Sequence, residues 1–435
     1  MLLTEVFPGK FVKSATPWLV VLLLTVSILS PSIRVLNGLP AIRLELIVVL
    51  IAWGLFFLGY LATNHPLTLR ANPMYKWFVL FGLSILFSIT YAALAKGYFP
   101  IGRDFWELGK LLEYFLIFAL VANLRTSSAD IKRYYKIALI IFMLSAFFGF
   151  AQYLNLGNIN AVVSPYYAPT QMRGLLIHGR IMGTTGNPNE FGALMVLASS
   201  LALSGALFFW RRVSRVLSWL CVSVFILAVM YTLSRSALIA LAIALAFVLF
   251  LYAAKGMKPQ EFRRLLLAIL LLAIIGLVDM QLVPEKFVGR TAQLGDITQA
   301  TSWQARVVNW RHNLSIWKQS PIFGWGPGKA TMTTTADNEW VLLLRRYGIV
   351  GVVIFVLWFG RFYFGLRRIR RHALAEEVTA LTIALQATLI AYAAYMIPAG
   401  IYHSLQLMPI LLLFLGLAYS QLYVVPVAGV QGSRV

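Results

Sequence analysis

Long apolar stretches recur along the whole chain and are separated by short polar segments. A helix that crosses the hydrocarbon core of a bilayer needs about 20 apolar residues. The pattern therefore predicts an all-α, polytopic membrane bundle of about twelve transmembrane helices, because only helices and closed barrels satisfy their backbone groups in lipid. The predicted spans are approximately 16–32, 42–62, 77–95, 108–124, 135–154, 190–210, 216–233, 236–254, 264–283, 339–360, 376–397 and 402–424.

Composition excludes an ordinary soluble fold. Sixty per cent of the 435 residues are hydrophobic and 12% are charged, whereas soluble domains carry about 25% charged residues. The first apolar stretch is interpreted as a retained helix and not as a cleaved signal peptide, because many further spans follow. Cys221 is the only cysteine, which excludes an intramolecular disulfide and a cysteine-based metal site.

The net charge of +22 is mostly a topology signal. With the N-terminus inside, the predicted inner segments carry 21 of the 37 Lys and Arg residues, and six of the other 16 lie in one long outer loop. Short cytoplasmic loops are enriched in Lys and Arg. We therefore expect an inner-membrane protein with both termini in the cytoplasm and with no nucleic-acid partner.

Two outer loops are longer than the other connections. They divide the chain into spans 1–9 (residues 1–283, with an outer loop at 155–189), a periplasmic loop at 284–338, and spans 10–12 (residues 339–435). Apolar residues spaced by three and four predict an amphipathic helix near 301–319. Its Trp303 and Trp310 suit either the lipid-water boundary or packing against the transmembrane bundle, and both alternatives stay open.

Candidate chemistry lies at the outer ends of the spans. Arg180, Asn187, Asn189 and Glu190 surround the start of the sixth span, where an arginine beside a helix N-terminus favours an anion. The alternative is an ordinary capped helix start. Arg235 occupies a tight outer turn close to the hydrocarbon boundary, where it needs a partner or must reach the lipid headgroups.

The long loop supplies a second set of candidates. Arg306 shares a helix face with Trp303 and Trp310, so its guanidinium could hold a phosphate while the indoles stack on a sugar; alternatively, it makes only a cation-π contact. Asp337 and Glu339 flank Asn338 before the tenth span, and either carboxylate could accept a proton, although acidic residues also favour a helix N-terminus.

Arg345 and Arg346 lie one to two turns inside that span and need internal partners, for which Asp337 and Glu339 are candidates. The sequence shows no nucleotide-binding loop, dinucleotide fingerprint, metal-ligand spacing or nucleophile elbow. No cofactor or metal is therefore expected.

These motifs, in this order and with this topology, resemble the O-antigen ligase and polymerase superfamily of bacterial envelope glycan synthesis. The resemblance runs from about His178 to Gly351. It rests on Gly179-Arg180 and Asn187-Pro188-Asn189, Ser234-Arg235, Arg306 with Trp310, Pro321 with Gly324, Gly326 and Gly328, and Asp337-Asn338 with Tyr347-Gly348 and Gly351.

The resemblance implies a GT-C-like, metal-independent glycosyltransferase that works on the periplasmic side. Its donor would be a glycan on undecaprenyl pyrophosphate and its acceptor a hydroxyl of another glycan or of lipid A-core. Arg235 and Arg306 would be the main pyrophosphate ligands and Arg180 a third, because fixed guanidinium groups stabilise the charge of the leaving group. Membrane lipids and a chain-length regulator would be further partners.

One position departs from the ligase pattern. Ligases carry a histidine before the asparagine of the tenth span, and this histidine is taken as the base, whereas here the position is Asp337. This departure favours a repeat-unit polymerase, for O-antigen or exopolysaccharide, over an O-antigen ligase. Asp337 is preferred over Glu339 as the base, with Glu190 as a third candidate. A transporter or flippase of the same lipid is the alternative of another class, but no inverted repeat supports it.

Overall fold

The computed structural model describes residues 9–33, 42–63, 69, 71–124, 126–167, 179–211, 213–254, 259–282, 301–332 and 336–423. Its α-helices, in chain order, are α1 (Gly9–Leu29), α2 (Leu44–Thr63), α3 (Tyr75–Lys96), α4 (Gly102–Ala122), α5 (Ser128–Leu154), α6 (Ile159–Val162), α7 (Ser164–Tyr167), α8 (Pro188–Phe208), α9 (Val213–Tyr231), α10 (Arg235–Ala253), α11 (Pro259–Leu282), α12 (Thr301–Trp317), α13 (Glu339–His372), α14 (Glu376–Tyr395) and α15 (Leu407–Ser420). Two-residue strands, Ser32–Ile33 and Ile42–Arg43, pair antiparallel between α1 and α2. His178 and the segment 283–300 of the predicted outer loops lie outside the described residues.

Every predicted span coincides with one of these helices, so the chain is an all-α, multi-pass membrane protein. Among the described residues, seven helices are long and apolar enough to cross a bilayer: α3, α5, α8, α9, α10, α13 and α14. The total of about twelve spans stays a prediction. The start of the last span was placed wrongly, because α15 begins at Leu407 and not near residue 402.

Helix α8 forms the centre of the bundle and packs against α9, α10 and α14. It is almost entirely buried, while α3, α9 and α13 leave large apolar side chains exposed. Small residues let α8 approach its neighbours closely. At Gly192, for example, an added Cβ would lie 2.5 Å from the Cβ of Ala237. The apolar exterior of the outer helices suits lipid, which explains why this exposure is tolerated.

The long helix α13 is broken near its N-terminal end at Gly348, where φ is 64° and ψ is −168°. The break frees backbone N–H groups, and the turn that follows α12 satisfies them. Ile349 N donates to Pro321 O at 2.9 Å and Val350 N donates to Ile322 O at 3.1 Å. In the opposite direction, Trp325 N donates to Arg345 O at 3.0 Å. Backbone irregularity inside a membrane protein requires such internal partners.

The same contact requires a glycine on each side. An added Cβ at Gly348 would lie 2.2 Å from Ile322 O, and one at Gly324 would lie 2.4 Å from Arg346 O. The hydroxyl of Ser88 on α3 lies 2.6 Å from both Phe323 O and Arg346 O, and it accepts from Gly326 N at 3.0 Å. The turn at 321–326 is thus clamped between α3 and α13.

Helix α12 packs against the bundle, as one of the two predicted alternatives requires; its position relative to the lipid-water boundary stays a prediction. Trp310 and Leu314 contact an apolar cluster of Ala336, Val341 and Leu342. On the same side of α12, the buried Asn313 accepts from Arg345 Nη1 at 2.7 Å. The described loop helix is therefore held by both apolar and polar contacts with α13 and the segment before it.

We predict that Gly348→Ala destabilises the protein, because alanine would be strained at this φ and its Cβ would meet Ile322 O. Such a backbone conformation costs about 1–3 kcal/mol for a non-glycine residue, before the steric clash is added. Gly360→Ala, on the same helix and with open space around it, is the matched control. Thermal unfolding in detergent should show a lower midpoint for Gly348→Ala alone; equal midpoints would contradict the clamp.

Candidate active site

A polar cleft of about 340 Å³ lies where segments between the helices meet the ends of α8, α13 and α14. Four separate parts of the chain line it: residues 180 and 187–190, Arg306 of α12, residues 336–337, and residues 395–404, from the last residue of α14 to the segment before α15. The lining residues are Arg180, Asn187, Pro188, Asn189, Glu190, Arg306, Ala336, Asp337, Tyr395, Pro398, Ala399, Gly400, His403 and Ser404. The structure therefore brings together six of the residues that the sequence predicted: Arg180, Asn187, Asn189, Glu190, Arg306 and Asp337.

Arg180 is held rigidly beside the start of α8. Its Nε donates to Thr232 O at 2.9 Å and its Nη2 donates to Asn189 Oδ1 at 3.0 Å. Asn187 is the N-cap of α8 and accepts from Asn189 N at 2.9 Å, with Pro188 in the first turn. The ordinary capped helix start is thus confirmed, and the cap also fixes Asn189, which orients the guanidinium of Arg180. That this group binds an anion stays a prediction.

The two arginines of the cleft come from positions far apart in the sequence. Arg306 lies on α12, and its side chain is half-buried, as is that of Arg180. Trp303 and Trp310 lie on the same helix with ring centroids 5.1 Å apart, which confirms that they share a face. They are not among the residues that line the cleft, so their predicted contact with a sugar stays a prediction.

The three residues before and at the start of α13 have different environments. Asp337 is exposed at the cleft. Asn338 is buried, and its side chain caps α13 by accepting from Val341 N at 3.0 Å. Glu339 is 1% exposed; its Oε1 contacts His403 Nδ1, and its Oε2 accepts from Ile401 N at 2.9 Å. Glu339 therefore holds the 396–403 segment, and its oxygens are already engaged.

His403 contacts two groups of α13. Its Nδ1 contacts Glu339 Oε1, and its Nε2 contacts Nη1 of Arg346. Since a guanidinium only donates, Nε2 accepts, and the ring proton lies on Nδ1, which donates to Glu339. Burial, reinforced by the positive charge of Arg346, lowers the pKa of His403, although the charge of Glu339 acts in the opposite direction. The imidazole is therefore neutral at neutral pH.

Behind the cleft, the buried Glu107 of α4 lies at the centre of a cluster of cations, of which Arg346 is buried and Lys110 and Lys329 are half-buried. Its Oε1 lies 2.6 Å from Lys329 Nζ, 3.4 Å from Lys110 Nζ and 3.4 Å from Arg346 Nη1. Glu107 is fully buried, so its charge requires these partners. The prediction that Arg346 needs an internal partner is confirmed, but its direct contacts among the described residues are with Glu107 and His403 and not with the predicted Asp337 or Glu339.

Arg235 is the first residue of α10, which is capped by Ser234, and it is not among the residues that line the cleft. Its predicted role as a pyrophosphate ligand stays a prediction. The next residue, Ser236, lies close to Tyr395 of the cleft, so the start of α10 is adjacent to the site.

Sequence reasoning missed His403, Ser404 and Tyr395. The predicted last span began at residue 402, which placed His403 and Ser404 inside an apolar helix. The signal that could have found them was the break at Pro398-Ala399-Gly400, followed by three polar residues before the apolar run of α15. Pro and Gly mark turns, and the polar residues then indicate a loop.

The helical bundle and its cleft define a multi-pass membrane protein with cationic and acidic side chains gathered at one end. A family model described as O-antigen ligase matches residues 219–356, about a third of the chain. The match confirms the resemblance to the O-antigen ligase and polymerase superfamily. It supports an activity of that type on lipid-linked glycan and acceptor substrates. No curated protein matches the chain significantly.

We predict a pH dependence of stability from His403. Because its pKa lies below the ordinary 6.5, the unfolded chain binds this proton at a higher pH than the native protein does. The contribution to stability is therefore complete above pH 6.5 and is lost as the pH falls toward the native pKa. His403→Asn keeps an N–H donor for Glu339 but does not titrate.

The measurement is the thermal midpoint of both proteins in detergent between pH 5.5 and 7.5. The wild type should lose more of its midpoint at low pH than His403→Asn does. Two parallel curves would show that His403 does not titrate as described.

Proposed function

We propose that the cleft transfers a glycan from undecaprenyl pyrophosphate to an acceptor hydroxyl, without a metal ion, on the periplasmic side of the bacterial inner membrane. The observation that carries this proposal is the convergence of Arg180 and Arg306 in one cleft that also contains carboxylates. The distribution of Lys and Arg along the chain supports the orientation, with both termini in the cytoplasm.

The proposed reaction replaces one bond to the anomeric carbon with another. The bond to the pyrophosphate oxygen breaks, the bond to the acceptor oxygen forms, and the proton of the acceptor passes to a base. Undecaprenyl pyrophosphate leaves with the electron pair and gains negative charge. Arg180, fixed by Thr232 and Asn189, needs no reorganisation to stabilise that charge, and Arg306 faces the same space. Arg235 is proposed as a further ligand.

Two carboxylates line the cleft and are candidates for the base, Asp337 and Glu190. Glu339 fits the role less well, because both of its oxygens already have partners. We propose that Asn187 and Asn189 contribute to substrate binding, since amide side chains bind sugar hydroxyls through hydrogen bonds. Asn338, a further substrate-binding candidate from the sequence, caps α13, and its contact with a substrate stays a prediction.

We propose that the enzyme is a repeat-unit polymerase, in which the acceptor is a second lipid-linked glycan. This choice rests on Asp337 at the position where ligases carry a histidine. The second candidate is an O-antigen ligase that transfers to lipid A-core, and the description of the matching family model favours it. A chain-length regulator would be a partner of the polymerase alone.

We predict that the purified protein forms a ladder of products from one synthetic repeat unit linked to undecaprenyl pyrophosphate, with no second acceptor added. The products would be separated by size, with a parallel reaction containing lipid A-core. A single product that requires lipid A-core would instead establish the ligase. No transfer in either reaction, with donors of several repeat-unit structures, would contradict the proposed activity.

A further inference from the structure

Glu190 differs from Asp337 and Glu339 because one of its carboxylate oxygens is anchored and the other is free to contact a substrate in the cleft. Its Oε2 accepts from Ser404 Oγ at 2.7 Å. Among the described residues no Lys, Arg or His forms an ion pair with Glu190. Its other oxygen, Oε1, accepts no hydrogen bond from the described part of the chain and is not sealed from solvent. This oxygen is therefore the one that can meet a substrate in the cleft.

Ser404 is fixed by its own hydrogen bonds. Its Oγ accepts from Leu407 N at 3.1 Å and from Gln406 N at 3.4 Å, so it caps the start of α15. A hydroxyl has a single proton to donate, and here that proton points at Glu190. Ser404 is 5% exposed. The bond thus ties the first turn of α8 to the segment just before α15 and fixes the carboxylate of Glu190.

The burial of the Glu190 carboxylate costs free energy, and a role in catalysis would explain why this cost is tolerated. Glu190 lies in the first turn of α8, which is almost entirely buried, and a carboxylate at such a place is expensive without a cation partner. A general base, however, needs a fixed orientation and an oxygen that the substrate can reach. Asp337 is exposed and has no such anchor among the described residues. Glu339 is anchored but has no oxygen left.

We propose that Glu190 is the catalytic base that takes the proton of the acceptor hydroxyl, and that Ser404 is its positioning residue. This inference rests on the proposed function. The acceptor proton passes to Glu190 Oε1 as the acceptor oxygen bonds to the anomeric carbon and the pyrophosphate leaves with the electrons of the broken bond. Arg180 and Arg306 then lie on the donor side of the same cleft.

The test compares Glu190→Gln with Glu190→Asp, Asp337→Asn and Ser404→Ala in the purified transferase. The amide of Glu190→Gln still accepts from Ser404 but cannot take a proton. We expect kcat to fall about 10²–10⁴-fold, the size of a general-base contribution, while KM for the donor changes little. The decline of the wild-type rate toward low pH should disappear from the residual activity. Glu190→Asp should retain part of the activity.

Ser404→Ala reports the positioning role. It should lower kcat less than Glu190→Gln does and should shift the acid side of the pH-rate profile, which a purely structural defect would not. Glu376→Gln is the matched control, because Glu376 is an exposed acidic residue in the first turn of α14. It should behave as the wild type does, and all variants should elute as the wild type does in size-exclusion chromatography.

The outcomes separate this inference from the proposed function. If the wild type transfers glycan and Glu190→Gln keeps full activity and still loses rate toward low pH, the inference is overturned, while the proposed transferase activity stands. The inference is also overturned if the decline of the rate toward low pH disappears in Asp337→Asn and not in Glu190→Gln. If Glu190→Gln does not fold, full activity of Ser404→Ala with an unshifted profile overturns the inference. A wild type without any transfer contradicts the proposed function itself.

Discussion

The break of α13 at Gly348 is the feature on which the placement of α12 and of the turn at 321–326 depends. It interrupts the backbone hydrogen bonds of a membrane helix. The turn at 321–326 replaces them, accepting hydrogen bonds from α13 and donating one to it. Because glycines at positions 324 and 348 allow the two backbones to touch, the loop docks at a single register. Helix α12 precedes this turn and Lys329 follows it, so both are positioned by a backbone contact.

A second constraint is the burial of charge. Glu107, Arg346, His403 and Glu339 connect α4, α13 and the 396–406 segment through contacts that must all be made at once. A buried ion pair gives little net stability, but removing one partner leaves an uncompensated charge and costs about 3–5 kcal/mol. The cluster therefore favours one arrangement of these elements over alternatives, and it supports the wall of the cleft from behind.

The sequence predicted the helices well because their signal is local. A run of apolar residues identifies a span without reference to the rest of the chain, and the three-and-four spacing around Trp303 and Trp310 identified α12. For Arg180, Glu190, Arg306 and Asp337, the sequence could predict only that they lie on the same side of the membrane. That they line one cleft is a property of the packing.

What could not be predicted depends on contacts between distant segments. Asn338 carries the same side chain whether it caps a helix or binds a sugar, and only the bond to Val341 N shows the cap. The contact of Arg346 with Glu107 joins α13 to α4, and no local pattern relates them. The sequence analysis did not identify Ser404 and His403 as site residues because they closely precede an apolar run. Hydropathy alone cannot locate the first residue of a helix there.

The central claim is that the arginines of the cleft hold the pyrophosphate of the donor, and Arg306 tests it most directly. The experiment compares the transfer rates of Arg306→Ala and Arg306→Lys from a lipid-pyrophosphate donor. The control is Arg311→Ala, which alters an exposed arginine of the same helix. The account predicts that Arg306→Ala lowers kcat/KM about 10²–10³-fold. Lysine should restore it partly, because it keeps the charge but not the paired geometry, and Arg311→Ala should match the wild type. Normal transfer by Arg306→Ala, or an equal loss in Arg311→Ala, would contradict it.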